Sequence, residues 1–229
     1  MYVKEWSEQA RSWRDHGQLE LLKDCARNHQ YFVARNASLL ELAKGWPEDS
    51  ETIELLKDRA SNDEHWHVRY TAVNELVQRW PEDQQVKQLL TYLSRSDNNG
   101  TVRMASLSWL AKSHLKNNQM AELLKDRASN DENSYVRSVA LTHLAVSWRE
   151  DAQVPAILKE HARSDAYDHV RITALKALSR RFRQDKELLH LLKDRARNDA
   201  HPKVRKAALA ELRRGWRHDP EFKLLANSK

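Results

Sequence analysis

The side chains that could carry chemistry are scattered through this sequence and do not form a known catalytic motif. Eleven histidines are present, but no H-E-x-x-H pair occurs, so the sequence does not indicate a helical zinc site. His65 and His67 flank Trp66 in a predicted turn, which alone is weak evidence for a metal. We expect Cys25 to be a helix-surface or interface thiol, because no acid–base neighbour activates it. The sequence thus predicts no catalytic residue, no metal ligand and no cofactor.

Basic side chains are concentrated at the C-terminal end. Residues 180–229 hold 15 Lys and Arg against seven Asp and Glu, whereas residues 1–179 hold 24 against 26. The formal net charge of +6 therefore comes from this end of the chain. Such an excess could attract an anionic partner, including a nucleic acid.

The composition excludes several classes of protein. Four glycines are too few for a Gly-rich phosphate loop or an all-β sandwich, and one cysteine excludes a disulfide scaffold. No apolar run approaches the roughly 18–20 residues that a membrane span needs. The charged, amphipathic start does not resemble a secretory signal. We expect a cytoplasmic protein that makes no contact with a membrane.

A repeat of 34 residues organises the chain. LLKDRA occurs at Leu55, Leu123 and Leu191, and related hexads begin at Leu21, Leu89 and Ile157. A second block follows in the same phase: Ala34-Arg35, Val68-Arg69, Val102-Arg103, Val136-Arg137, Val170-Arg171 and Val204-Arg205. A third block closes each unit: Trp46, Trp80, His114, Trp148, Phe182 and Trp216. Trp66 and Trp109 fall outside this third column.

Each unit is predicted to form two helices joined by a polar turn. Helix A carries the LLKDRA block, and helix B begins near the Val-Arg pair. With the Val numbered 0, apolar or small residues recur at positions 0, 4, 5, 8 and 12, which is one stripe of a helix. One hairpin cannot bury its apolar faces alone, so neighbouring hairpins must stack.

The predicted fold is therefore an all-α solenoid of about 14 helices in one domain, residues 1–229. It comprises a half unit, six full units and a second half unit: 1–16, 17–50, 51–84, 85–118, 119–152, 153–186, 187–220 and 221–229. The first residues carry an apolar stripe with Trp6 and Trp13, which is a poor cap for a solenoid and suggests a piece of a longer protein. Exposed end units could stack on a second copy.

The turn Asp followed by Val-Arg, Ala and Leu resembles the pattern of HEAT repeats. In more detail, LLKDRASNDEHWHVRYTAVNELVQRWPED is similar to HEAT-like arrays at the C-terminal side of bacterial, largely cyanobacterial, NACHT-type NTPases. The resemblance implies that the recurring Arg and turn Asp residues form hydrogen bonds between units. It also implies that helix B lines a concave face, and that the array serves ligand sensing or autoinhibition. No G-x-x-x-x-G-K-[ST] motif is present.

Helical spacing places positions 2, 6 and 10 of helix B opposite the buried stripe. We call this solvent side of the helices B the helix-B face. It is apolar in the middle, which suits a protein partner, and basic towards the end. The predicted binding residues are Asn36, Lys44, Tyr70, Asn74, Gln78, Met104, Ser108, Lys112, Thr142, Val146, Ile172, Lys176, Arg180, Lys206 and Arg214.

The leading hypothesis is a non-enzymatic scaffold that binds a protein or another macromolecule. A second hypothesis is an alkylpurine DNA glycosylase of the HEAT-like type, although Glu41, Glu75 and Glu211 are the only acids within the helices B. A third is sequence-independent nucleic-acid binding without chemistry, through the basic C-terminal end. A fourth is a role like that of HEAT-like phycobilisome lyases.

Overall fold

The computed structural model describes residues 3–113 and 117–222, and these residues form thirteen α-helices without a strand. The helices are α1 (Val3–Asp15), α2 (Leu19–Asn28), α3 (Phe32–Gly45), α4 (Ser50–Asn62), α5 (Trp66–Arg79), α6 (Gln84–Ser96), α7 (Gly100–Lys112), α8 (Asn118–Asn130), α9 (Ser134–Ser147), α10 (Gln153–Ser164), α11 (Asp168–Arg181), α12 (Leu188–Asn198) and α13 (Pro202–Trp216). The predicted all-α solenoid of helical hairpins is confirmed.

The helices form two compact units, Met1–His114 and Leu115–Lys229. In the first, α2–α3, α4–α5 and α6–α7 are hairpins, and α1 packs on α3 as α3 packs on α5. In the second, the hairpins are α8–α9, α10–α11 and α12–α13. Within each unit, successive helices B pack on one another more extensively than successive helices A do. The prediction of a single array over residues 1–229 stays a prediction.

The helices A of the second and third hairpins, α4 and α6, begin and end at aspartates. Asp49 caps α4 by accepting the Thr52 N–H, and Asp83 caps α6 by accepting the Val86 N–H. Asp63 and Asp97 stand at the C-caps of the same two helices. A carboxylate at an N-cap satisfies a backbone N–H that has no partner within the helix, which explains why the acidic starts recur.

The core lies between the two layers of each hairpin. Helix A buries one stripe, such as Leu55, Leu56 and Ala60 of α4. Helix B buries more of its circumference because it contacts its own helix A and the helices B beside it; in α5, eight of 14 residues are buried. Each fully buried leucine, such as Leu76, contributes about 1.5–3 kcal/mol.

A ladder of guanidinium–carboxylate pairs joins consecutive hairpins. Nε and Nη2 of Arg69 donate to Asp97 Oδ2 and Oδ1 at 2.7 and 2.8 Å. Nη1 of the same arginine donates to the Asp63 carbonyl, in its own turn, at 2.9 Å. The same bidentate geometry joins Arg35 to Asp63, Arg137 to Asp165 and Arg171 to Asp199. The expected hydrogen bonds between repeats are thus confirmed for these four pairs.

The acid of this ladder also shapes its turn. Asp165 Oδ1 accepts the Tyr167 N–H at 3.0 Å, so the carboxylate holds the start of helix B. Burial alone would raise the pKa of Asp165, but hydrogen bonds from Arg137, the Tyr167 N–H and His161 outweigh that effect and lower its pKa to about 2. The carboxylate therefore stays ionised across the physiological pH range.

A second ladder uses the lysine of the LLKDRA block. Lys125 Nζ lies 2.7 Å from Asp151 Oδ2, and Lys159 Nζ lies 2.8 Å from Asp185 Oδ2. Lys23 reaches Asp49 and Lys193 reaches Asp219 in the same way. Each lysine thus contacts the acidic start of the next helix A. This pairing gives a structural reason for the joint recurrence of the two motifs.

Several sequence expectations need correction or lie outside the described residues. Cys25 is 6 % exposed, so it is a buried thiol and not a helix-surface one; burial raises its pKa. Trp66 is the first residue of α5 and not part of a turn. The aromatic column is half-buried at Trp46, Trp80, Trp148, Phe182 and Trp216. His114 of that column, and residues 223–229 of the predicted last half unit, lie outside the described residues.

The buried ladder generates a stability prediction. Replacing Asp97 by Ala leaves the Arg69 guanidinium, 6 % exposed, without its carboxylate. We expect the free energy of unfolding to fall by about 3–5 kcal/mol, because a buried cation loses its counter-charge. Urea unfolding followed by circular dichroism measures this change.

The matched control is Glu150→Gln, which breaks the Arg149–Glu150 pair. Both of these side chains are largely exposed, so we expect a change of only about 0–1 kcal/mol. A loss below about 1 kcal/mol for Asp97→Ala would show that the ladder does not hold the hairpins together.

Candidate binding surface

The predicted binding residues all lie on the uncovered side of the helices B. Nine are exposed: Lys44, Gln78, Lys112, Thr142, Val146, Lys176, Arg180, Lys206 and Arg214. Six are half-buried: Asn36, Tyr70, Asn74, Met104, Ser108 and Ile172. None is buried, because helix A and the neighbouring helices B cover the other sides of each helix B. The surface is therefore accessible, and ligand binding to it stays a prediction.

In the first unit, Trp109 organises the helix-B face. Its indole Nε1 donates to Asn74 Oδ1 at 3.3 Å, across the contact between α5 and α7. Lys112 Nζ lies 5.2 Å from the centre of the Trp109 ring, in cation–π geometry. Two of the predicted binding residues thus converge on a tryptophan that the sequence pattern left outside the binding columns.

The glutamates at position 7 of the helices B, which flank the buried stripe, are engaged in ion pairs. Glu75 Oε2 lies 3.1 Å from Arg79 Nε, and Glu211 pairs with Arg214. Glu41 Oε1 lies 2.9 Å from Lys44 Nζ, and its other oxygen pairs with Arg14. All three glutamates are at most 7 % exposed. Because each of these carboxylates is buried and already contacts a cation, the arrangement favours structural roles for these acids.

In the second unit, α9 and α11 enclose a groove of about 250 Å³ on the helix-B face. Ala145, Val146 and Ala177 provide its apolar lining. Lys176, Arg180 and Arg181 add three cations, and Thr142 and Thr173 complete it. The fold thus brings together four of the predicted binding residues: Thr142, Val146, Lys176 and Arg180.

Aromatic and histidine side chains line the edge where the helices B begin. In the first unit, the rings of Phe32 and His65 stack with centroids 3.6 Å apart, and Trp66 packs edge-on against His67. In the second unit, Tyr135 stacks on His169 at 4.7 Å. His65 Nδ1 also accepts the His67 N–H at 3.2 Å and so caps α5. These histidines serve packing and capping.

Sequence reasoning missed the flanks of the binding columns. Thr173, Ala177 and Arg181 line the groove from positions 3, 7 and 11 of α11, next to the predicted positions 6 and 10. Trp109 stands at position 7 of α7, where three other units carry glutamate. Comparing the residue types at position 7 between units would have revealed this substitution.

The repeated hairpins and their ladders agree with a comparison against protein-family models. A model described as HEAT repeats matches residues 19–111 and 121–213, which together exceed half of the chain. The chain belongs to the HEAT-repeat family. HEAT repeats form scaffolds that typically mediate protein interactions. A search of curated proteins found no match.

Two further findings concern the described residues of this HEAT-repeat chain. Among residues 3–113 and 117–222, no helix is both long and apolar enough to cross a membrane. Within the same residues, no group of three or more His, Cys, Asp or Glu side chains is arranged to hold a metal ion. The predicted absence of a metal site and of a cofactor stays a prediction.

The histidine cap of α5 generates a prediction about pH. Burial lowers the pKa of His65 first, and the neighbouring His67 lowers it further. Because the folded-state pKa lies below the unfolded value of about 6.5, protonation favours unfolding, and stability falls as the pH drops below that value. In His65→Asn, the amide oxygen can cap α5 at every pH, as Asn99 and Asn133 cap α7 and α9.

We expect His65→Asn to lose less stability than the wild type between pH of about 7.5 and about 5.5. Urea unfolding at a series of pH values measures the difference. His190→Asn, at an exposed position of α12, is the control and should follow the wild-type curve. Equal pH dependence in His65→Asn and the wild type would contradict the role assigned to His65.

Proposed function

We propose that this HEAT-repeat protein is a non-enzymatic recognition scaffold that binds a protein ligand on its helix-B face. The proposal rests on the observation that recurring residues and varying residues lie in different places. The residues that recur along the repeats, such as Arg69 and Asp97, form the ladders between hairpins. The residues that vary between repeats, such as Val146 and Lys176, are exposed on the helix-B face. A fixed framework with a variable surface suits recognition.

The state of the reactive side chains supports a role without catalysis. Cys25 is buried, and burial raises its pKa, which disfavours the nucleophilic thiolate. The three glutamates within the helices B are paired with cations. They are not the only acids there, as the sequence suggested, because α11 begins at Asp168, whose Oδ2 lies 3.3 Å from His201 Nδ1. An alkylpurine DNA glycosylase would use an acidic residue on this face. The ion pairs of the glutamates therefore argue against a glycosylase.

The sequence resemblance supports a finer proposal about the parent protein. The LLKDRA, Asn-Asp and Val-Arg blocks resemble HEAT-like arrays attached to NACHT-type NTPases, so we propose that this scaffold is the ligand-sensing part of such a protein. Sequencing the natural transcript tests this. A phosphate-binding NTPase motif in the same reading frame is expected, and a frame without one would overturn the proposal.

Selection of binders from a random peptide library tests the proposed surface. The wild-type chain is compared with the helix-B variant Val146→Ser, Lys176→Glu, Arg180→Glu, in which all three positions are exposed. We expect peptides enriched on the wild type to bind the variant at least about tenfold more weakly, a loss of about 1.4 kcal/mol.

The matched control is Ala156→Ser, Arg163→Glu, Arg197→Glu. It makes the same change in net charge at exposed positions of α10 and α12. We expect it to retain wild-type binding, and circular dichroism should show unchanged folding for both variants. If the selected peptides bind the helix-B variant as well as the wild type, the helix-B face is not the binding surface.

Nucleic-acid binding is the second candidate, and the charge of the helix-B face favours it. Lys176 and Arg180 on α11, and Lys206 and Arg214 on α13, are all exposed. Titrations with short duplex and single-stranded DNA and RNA at about 50 and 200 mM salt test this candidate, because phosphate contacts weaken steeply with salt. Salt-sensitive binding that is lost in Lys206→Glu, Arg213→Glu, Arg214→Glu would favour nucleic acid.

A further inference from the structure

The groove between α9 and α11 combines two features that select a chemical class of ligand. The first is an aliphatic surface that the fold leaves open. Val146 is 49 % exposed, although it lies beside Ala145 and Ala177 in a recess of about 250 Å³. Apolar surface left in water is unfavourable, so a ligand that covers this recess gains binding energy.

The second feature is a cationic rim without neutralising acids. Lys176, Arg180 and Arg181 line the groove, and its lining contains no acid. Among the described residues, no carboxylate lies within salt-bridge distance of these three cations. By contrast, Lys159 on the neighbouring α10 is paired with Asp185 and Glu187. The rim is therefore available to carboxylates of a ligand.

The lining favours a protein segment over a nucleic acid. Single-stranded nucleic acids bind through aromatic side chains on which bases stack, and the residues around this groove include none. Aliphatic anchors flanked by carboxylates instead match an amphipathic helix that lies in a groove. Lys176 and Arg180 are four residues apart on α11, about 6 Å along its axis, which is the spacing of i and i+4 carboxylates on a ligand helix.

We propose that the groove between α9 and α11 binds an acidic amphipathic peptide segment. An aliphatic side chain of that segment covers Val146 and Ala177, and its carboxylates pair with Lys176, Arg180 and Arg181. This inference rests on the proposed function and names the chemistry of the ligand.

Fluorescence anisotropy with the full chain and three labelled peptides of about 15 residues, roughly four helical turns, tests the inference. The first peptide carries Glu and Leu at helical spacing, the second has Lys in place of Glu, and the third has Ser in place of Leu. We expect the Glu/Leu peptide to bind at least about tenfold more tightly than either of the others.

Variants separate the two features of the groove. Val146→Ser should weaken binding of the Glu/Leu peptide at least about threefold. The double variant Lys176→Glu, Arg180→Glu should weaken it at least about tenfold. The charge-reversed variant should in turn bind the Lys/Leu peptide more tightly than the wild type does. Arg163→Glu, Arg197→Glu, on the helix-A side, should bind all three peptides as the wild type does.

Three results would overturn the inference. Equal binding of the Glu/Leu and Glu/Ser peptides would show that the apolar lining does not contribute and that the groove only attracts negative charge. An equal loss in the helix-A control would place the peptide elsewhere. Tighter binding of an oligothymidylate of about 15 nucleotides, lost in the same groove variants, would assign the groove to nucleic acid.

The library selection distinguishes a failure of the proposed function from a failure of the inference about the α9–α11 groove. Selected peptides that are basic or neutral, yet depend on the helix-B face, would overturn this inference and leave the proposed function standing. Selected peptides that ignore the helix-B face would overturn the proposed function.

Discussion

The guanidinium–carboxylate pair between consecutive hairpins is the constraint on which the rest of this structure depends. In each of the four pairs the arginine belongs to the start of a helix B, and the aspartate caps the next helix A. The same arginine also donates to a carbonyl of its own turn, so one side chain fixes both the shape of a hairpin and the position of the next. A buried bidentate pair is rigid and directional, which suits a spacing element.

Because these pairs fix the hairpins, the helix-B face is not needed to hold the hairpins together. Helix B is covered by its own helix A and by its neighbours, so most of its apolar residues are buried in packing contacts. The lysine ladder ties successive helices A together at their acidic starts. Positions 2, 6 and 10 of helix B take part in neither framework, and their residue types differ from repeat to repeat. A surface that the fold does not constrain can adapt to a ligand.

The two compact units present different chemistry on the helix-B face. In the first unit, Trp109 gathers Asn74 and Lys112, and the buried glutamates hold cations. In the second unit, the valine and alanines of the α9–α11 groove are bordered by cations. The position that holds glutamate in three repeats is tryptophan in α7 and alanine in α11. The alanine removes an acid from the groove, which leaves its rim positive.

The sequence by itself determined the helices, the hairpins and the residue types of the arginine ladder, whereas the hydrogen bonds of that ladder were implied by the resemblance to HEAT repeats. Because the 34-residue unit occurs six times, the residue at each packing position can be compared among six units, and agreement in all of them is not due to chance. The Arg and Asp residues of the ladder could be named because they recur. Only the tertiary structure decided that Cys25 is buried, that Glu41, Glu75 and Glu211 are ion-paired, and that Val146 and Lys176 line one groove. The physical reason is that helical periodicity fixes which side of a helix is buried, whereas ion pairs and grooves depend on side chains from two neighbouring helices, whose offset and rotation come from packing.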